Sequence, residues 1–392
     1  MDKAVALLCV GYLGTCFSLL GATSVKLMPR LGIDKGRFGT MISIFMSVCL
    51  VASLIAGPTL DQVGYRPMAL TGFSLTAVAI MLLAAANTFA GAVGACMLLG
   101  VGAIALNTAG NTLIPVVLFD GKNPAAASNL GNVFFGLGLL LTPLTAAALF
   151  RRTSYEKALL TLGALVLVPL PLVLVATFPA SRASFVPAQA VALLANPVVV
   201  VAGLVLFCYF GLEASFAHWL PAFGKEVLAQ ARPDLESRTS DAIAQRLLSW
   251  FAVGMMLGRF LVSQIPTITK YGAWFIVGAA VLAAAIIFAM TRVRSVLQAR
   301  GLSALSGLVF GLCFPTTVGV TLAQFPRDVY GTVFGVIFAI GLVGCVIVPK
   351  LIGNVARRSS IQQGMRYLLP LCVALFGLAI AMGYVKTPGP SM

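Results

Sequence analysis

The chain has 392 residues, 60% of them hydrophobic and only 9% charged, with a net charge of +15 and a mean hydropathy of +1.02. No soluble domain of this size has that balance, and the positive charge falls in the segments between apolar runs, which removes the case for a nucleic-acid partner. The apolar runs are about 20 residues long, the length that spans a bilayer as a helix. A bilayer core offers no water to the backbone, so these runs must pair their own N–H and C=O groups as helices. A membrane β-barrel would instead show short alternating segments.

In chain order the predicted helices cover 4–28, 38–60, 68–88, 92–118, 125–149, 156–178, 197–221, 246–266, 272–292, 302–325, 331–355 and 364–385. The first begins near Ala4 and is about a full span long, so no separate cleavable signal is expected. Between the sixth and seventh lies the proline-bearing stretch "FPASRASFVPAQAVALLANP". It divides the chain into a six-helix bundle over 1–178, a linker over 179–196 and a second six-helix bundle over 197–392. The halves share local features. Tyr12, Gly14 and Ser18 in the first helix match Tyr209, Gly211 and Ser215 in the seventh. Pro143 precedes Arg151 and Arg152 at the same distances as Pro349 precedes Arg357 and Arg358. The expected fold is all-α, with twelve transmembrane helices in two pseudo-symmetric halves. Repeated halves around a central site are characteristic of secondary transporters, which hold substrate near the bilayer midplane.

Polar residues inside the spans are the candidate functional groups. The segment after the second helix reads "GPTLDQVGYRP" from Gly57. Gly57 and Gly64 permit close helix approach and a tight turn. Asp61 is placed to accept from a helix N-terminus or to pair with Arg66. In the fourth helix Asn107 and Asn111 lie four apart on one face, and in the fifth Asn129 and Asn132 lie three apart. Paired amides suit vicinal hydroxyls; equally, they suit interhelical hydrogen bonds worth about 0.6 kcal/mol each. In the tenth helix Phe314, Thr316 and Thr317 are cavity-lining candidates, unless the hydroxyls bond back to their own helix. Gly136, Gly138, Gly254 and Gly258 read as helix-approach positions, and Arg259 as a side chain that snorkels or pairs at the interface.

Of the eleven acidic residues, only Glu213 lies well inside a span. Placing it there costs roughly 2.5–3.5 kcal/mol, and such residues mark ion or substrate pathways. Hydrocarbon disfavours the charged form of a carboxyl, so Glu213 is suited to exchanging a proton on transport. Alternatively it holds Na⁺ together with backbone and hydroxyl oxygens, or is a protonated side chain bonded to a neighbouring helix. Tyr209, one turn earlier, shares its face and has its hydroxyl for the carboxylate or for a sugar. His218 and Trp219 read as an interfacial belt, with stacking on a sugar face as the alternative for Trp219. The eight cysteines all fall within apolar runs, form no C-x-x-C pair, and read as small hydrophobes. With one histidine in the chain, neither a metal site nor a cofactor is expected, and no nucleophile–base–acid set suggests an enzyme.

The 57–67 segment resembles the signature G-x-x-x-D-x-x-G-x-R of the major facilitator superfamily. Within that superfamily, "YFGLEASFAHWLP" from Tyr209, "LNTAGNTLIPVVL" from Leu106, "NLGNVFFGLGLLLTP" from Asn129 and "GLVFGLCFPTTVGVTLAQFP" from Gly307 resemble the fucose:proton symporter family, which also includes sodium-dependent glucose carriers. The resemblance implies a plasma-membrane carrier, in bacteria an inner-membrane one, for a small polyhydroxylated solute, with H⁺ or Na⁺ coupling and rocking alternating access. It implies substrate contacts at Asn107, Asn111, Asn129, Tyr209, Trp219, Thr316 and Thr317, coupling at Glu213, and a signature segment at Gly57, Asp61, Gly64 and Arg66. A monomer with the bilayer as its surroundings is expected. One departure stands out. The family's fucose carriers place carboxylates in the first and fourth helices, whereas here the first helix has none and the fourth has Asn107.

The superfamily orientation puts both termini inside. The outer segments then carry more basic residues, among them Arg30, Arg37, Arg151, Arg152, Arg292, Arg294 and Arg300, than the inner ones, against the usual positive-inside bias. That basic outer face, with an aromatic cavity, favours a second reading, export of drugs or organic anions. A non-transporting receptor would carry an added soluble domain.

Overall fold

The computed structural model describes residues 1–179, 192–193, 195–231, 237–356 and 360–386. Most of the expected linker, and Arg357 and Arg358 of the second repeat, lie outside them. Among the described residues twelve helices are long and apolar enough to cross a bilayer, and no strand occurs. They are α1 (Asp2–Leu31), α2 (Lys35–Val63), α3 (Tyr65–Ala85), α4 (Phe89–Gly121), α5 (Pro124–Arg152), α6 (Tyr155–Val175), α7 (Pro197–Ala231), α8 (Ile243–Ser263), α9 (Ile268–Met290), α10 (Val296–Leu322), α11 (Arg327–Leu351) and α12 (Ile361–Tyr384). Several open on side-chain caps of the usual kind. Asp34, Thr88, Ser154 and Ser295 accept from the N–H of Arg37, Gly91, Lys157 and Gln298.

Two expectations of local structure change. The 57–67 segment is not a loop. Helix α2 runs through Pro58 to Val63, and the turn is the single residue Gly64 at φ 82° before α3 begins at Tyr65. Helix α7 continues to Ala231, ten residues beyond the expected end, with Pro221 inside it. Both prolines are tolerated because a membrane helix loses little by one missing N–H when neighbours satisfy the freed carbonyl.

The chain forms two compact units. The first holds Met1–Lys122, Gly131–Val191 and the short segment Pro326–Val336; the second holds Asn123–Leu130, Ala192–Phe325 and Ile337–Met392. The division follows the two halves of the sequence except for those two short segments.

In the first unit, glycines let backbones meet. A Cβ on Gly14 of α1 would lie 2.2 Å from the carbonyl of Phe135 in α5, and one on Gly138 of α5 would lie 1.9 Å from that of Gly11. Helices α3 and α4 meet at Gly102, where a Cβ would lie 2.7 Å from the amide nitrogen of Thr76. Phe17 fills the space beside α2 and α5, edge-on to Phe45 and Phe135.

The second unit repeats the device. Gly254 and Gly258 of α8 interlock with Gly307 and Gly311 of α10, and each hypothetical Cβ would lie between 1.9 and 2.4 Å from a backbone oxygen of the other helix. A Cβ on Gly344 of α11 would lie 2.1 Å from the carbonyl of Phe207 in α7. Two aromatic clusters pack the interior, Phe216 with Phe251 and Phe310, and Phe210 with Phe314 and Phe338. Helix α10 bends at Leu312, between Val296–Gly311 and Cys313–Leu322.

Overpacking a tight contact costs typically about 1–3 kcal/mol. Gly138→Ala is therefore expected to lower the unfolding temperature of the detergent-purified protein. Gly94→Ala, which would meet nothing within 4 Å, is expected to leave it unchanged or raised. Equal melting of the two variants would contradict the seam.

Candidate functional site

Helix α7 carries Tyr209 and Glu213 one turn apart, on the same face. Tyr209 is wholly buried, and its hydroxyl interacts with the Glu213 carboxyl one turn on. Glu213 is half-buried. From α8, Arg259 enters the same interior. It is only 2% exposed, so it does not snorkel as its place near the helix end suggested. Its guanidinium acts on Glu213 and Tyr209 electrostatically.

Arg259 is held there by a defect in α10. Proline has no N–H, so Pro315 cannot bond to the carbonyl of Gly311 four residues earlier. That carbonyl accepts from Arg259 Nε at 3.1 Å instead. Gly311 also packs against the Met255 carbonyl, one turn before Arg259, so the absence of a side chain at 311 brings α8 within reach. A guanidinium stays protonated in a protein, and a buried charge requires a partner. Among the described residues, Glu213 is an acidic side chain on which its charge acts. Sequence reasoning missed Arg259; the glycines at 307 and 311 with proline four residues on were the signal that an acceptor waited opposite α8.

The amides fall into two groups. In the first unit, Asn132 donates to Asn111 Oδ1 at 2.8 Å, and Asn111 donates to Asn107 Oδ1 at 2.8 Å. All three are buried. Asn111 thus spends both ends of its amide within this relay. Asn107 Nδ2 and Thr108 Oγ1, at the end of the relay, have no partner among the described residues. In the second unit, Asn129 donates to Thr316 Oγ1 and to the Ala125 carbonyl, both at 2.9 Å, while its own Oδ1 is unpaired. Thr317 bonds back to the Cys313 carbonyl at 2.7 Å. Trp219 donates its indole N–H to the Pro349 carbonyl at 3.1 Å and sits twelve residues before the end of α7, not at a helix end. The expected substrate residues that keep an unspent polar atom are therefore Asn107 and Asn129.

The signature residues form a separate arrangement in the first unit. Asp61 is 5% exposed. It accepts from the N–H of Gly331 at 2.8 Å, the N–H of Thr332 at 2.7 Å and the Thr332 hydroxyl at 2.6 Å. These are orphan donors of the first turn of α11, where a carboxylate also meets the positive end of the helix dipole. A Cβ on Gly57 would lie 2.3 Å from the Gly331 carbonyl, so Gly57 sets the approach. Arg66 turns away from Asp61, donating to the Ala176 carbonyl at 2.8 Å and lying over the Phe178 ring. No group of three metal-ligating side chains occurs among the described residues.

The family model of the Major Facilitator Superfamily matches residues 6–349. The chain belongs to the major facilitator superfamily. No curated protein sequence matches it. Among solved structures, the crystal structure of the E. coli fucose:proton symporter, FucP, superposes with a TM-score of 0.78 at 18% identity, covering 97% of this chain and 99% of that one. FucP in an outward conformation, described as a superfamily transporter, superposes at 0.77 with 18% identity, over 98% and 100% of the two chains. At that identity the likeness establishes the fold. This superfamily member is an integral, multi-pass membrane transporter, with the twelve-helix architecture the sequence implied.

Hydrogen bonds to a charged group contribute about 1.5–3 kcal/mol each. In this transporter Asp61→Asn, which offers one acceptor oxygen where the carboxylate offers two, is expected to speed amide hydrogen exchange at Gly331 and Thr332 at least about tenfold. Unchanged protection of those amides would show that the carboxylate does not hold the α11 terminus.

Proposed function

We propose that the protein is a secondary active transporter that couples movement of a small polyhydroxylated solute, a monosaccharide, to an ion gradient of H⁺ or Na⁺. Its place is the plasma membrane, in a bacterium the inner membrane, and it works by alternating access as a monomer. The observation that carries this reading is Glu213, a carboxyl inside a membrane helix beside a buried cation. A carboxyl in that setting is costly to keep, and such residues mark ion or substrate pathways. The fold it shares with a fucose:proton symporter supports a sugar as the solute. So do the unspent amide atoms of Asn107 and Asn129, which suit hydroxyl groups.

Arg259 favours a second reading, an organic anion as the transported solute, because a buried guanidinium is a ready carboxylate partner. Proteoliposomes offered labelled neutral sugars and sugar acids separate the two by which class is taken up. On the coupling reading, Glu213→Gln is expected to lose gradient-driven accumulation while keeping solute exchange across the membrane. Accumulation at the wild-type level by that variant would end the coupling role.

A further inference from the structure

Between the end of α9 and the second turn of α10 the chain carries three arginines, Arg292, Arg294 and Arg300. Arg292 is accounted for: its guanidinium lies over the Phe288 ring at 3.9 Å. The other two line a cavity of about 530 Å³ in the second unit. Leu228 near the end of α7, Ile243 at the start of α8 and the first turn of α10 line it as well. The continuation of α7 past its expected end thus builds part of this wall.

The charged residues on the cavity are both cations. Among the described residues the ion pairs lie elsewhere, at Asp2, Asp120 and Glu156. Glu226, two residues before Leu228, instead accepts from the N–H of Gln362 at 3.0 Å. Arg300 Nε is buried and has no hydrogen-bond partner among the described residues. A guanidinium stays protonated, and a buried N–H calls for an acceptor. The start of α10 adds to the same demand. Ser295 caps it by accepting from the Gln298 N–H at 3.3 Å, and Gln298 Oε1 accepts from the Arg294 N–H at 3.2 Å. The N–H groups of Val296 and Leu297 come too early for an acceptor in their own helix, and they stand at the positive end of its dipole.

We propose that Arg294, Arg300 and the first turn of α10 bind the phosphate of an anionic phospholipid, in the leaflet where α9 ends and α10 begins. Guanidinium groups match phosphate oxygens two at a time, and a helix N-terminus favours the same anion. The place fits a lipid. One span ends here and the next begins, which sets the cavity at the level of the headgroups, and basic pockets between membrane helices hold such headgroups. The apolar part of the wall completes the match. Leu297, beside the two cations, is 78% exposed. A molecule with a charged head and a hydrocarbon body satisfies both kinds of surface, whereas a small hydrophilic anion satisfies one. The cavity shares no residue with the groups assigned to solute or coupling, so lipid binding here is independent of what is transported.

The test is a titration of the full-length protein, purified and delipidated in detergent, with bound lipid counted by native mass spectrometry. The probes are phosphatidylglycerol, phosphatidylcholine, glycerol phosphate and inorganic phosphate. Wild type is expected to retain phosphatidylglycerol in preference to phosphatidylcholine and to take up neither soluble phosphate. The double variant Arg294→Gln with Arg300→Gln is expected to lose at least about tenfold in affinity for phosphatidylglycerol. Arg292→Gln, which removes the same charge from outside the cavity, is expected to bind as wild type does. Should the double variant not fold, Arg294→Gln alone, at an exposed side chain, is expected to lose about fivefold. Wild-type affinity in the double variant, or in Arg294→Gln, would overturn the proposal. So would an equal loss in Arg292→Gln, which would mark a diffuse charge effect, or equal retention of the two lipids. Binding of glycerol phosphate or inorganic phosphate more tightly than the lipid would assign the cavity to a soluble anion and overturn the lipid.

Discussion

Within a bilayer every backbone carbonyl must find a donor from the protein itself, and one such carbonyl organises the second unit. Pro315 leaves the oxygen of Gly311 without its helical partner. No water is at hand in hydrocarbon to replace it. The donor comes from α8, as the Nε of Arg259. The consequence reaches beyond one hydrogen bond. It fixes a permanent positive charge in the interior, and Glu213 on α7 is an acidic side chain on which that charge acts. A sequence feature that reads as a helix defect thereby sets the electrostatics of the whole cluster.

The same economy of small residues runs through both halves of the chain. Gly14 and Gly211 occupy matching places in the repeated Tyr-x-Gly motif of α1 and α7. Each packs against the fifth helix of its half: a Cβ on Gly14 would meet the Phe135 carbonyl of α5, and one on Gly211 the Val348 side chain of α11. Lipid tails are as apolar as the helices they surround, so burial alone does not drive helices together there; close backbone packing does much of that work. The repeat was thus visible in sequence because its packing role is repeated. What differs between the halves is the polar content. The first unit holds an amide relay, Asn132 to Asn111 to Asn107, and the second the Glu213 and Arg259 pair.

The spans were legible in the sequence because their signal is long and strong, and each observed helix lies where an apolar run of full length was found. The less legible features are those where a proline meets a neighbouring helix. The second and seventh helices were expected to end at 60 and 221, near Pro58 and Pro221, yet α2 and α7 continue to Val63 and Ala231. Arg259 looked like an interfacial side chain because only its distance from the helix end could be counted, not the carbonyl waiting on α10. The amides illustrate the converse. Their spacing marked them as a group, but spacing cannot tell an amide spent on its neighbours, such as Asn111, from one with an atom to spare, such as Asn107.

The account depends on the Glu213 carboxyl changing its charge beside a guanidinium that does not. Infrared difference spectroscopy of reconstituted protein, acid minus alkaline, reads that change directly through the carbonyl stretch of a protonated buried carboxyl. The account predicts a band in wild type that is missing from Glu213→Gln. Identical difference spectra for wild type and Glu213→Gln would mean that the carboxyl keeps one state throughout, and would contradict it.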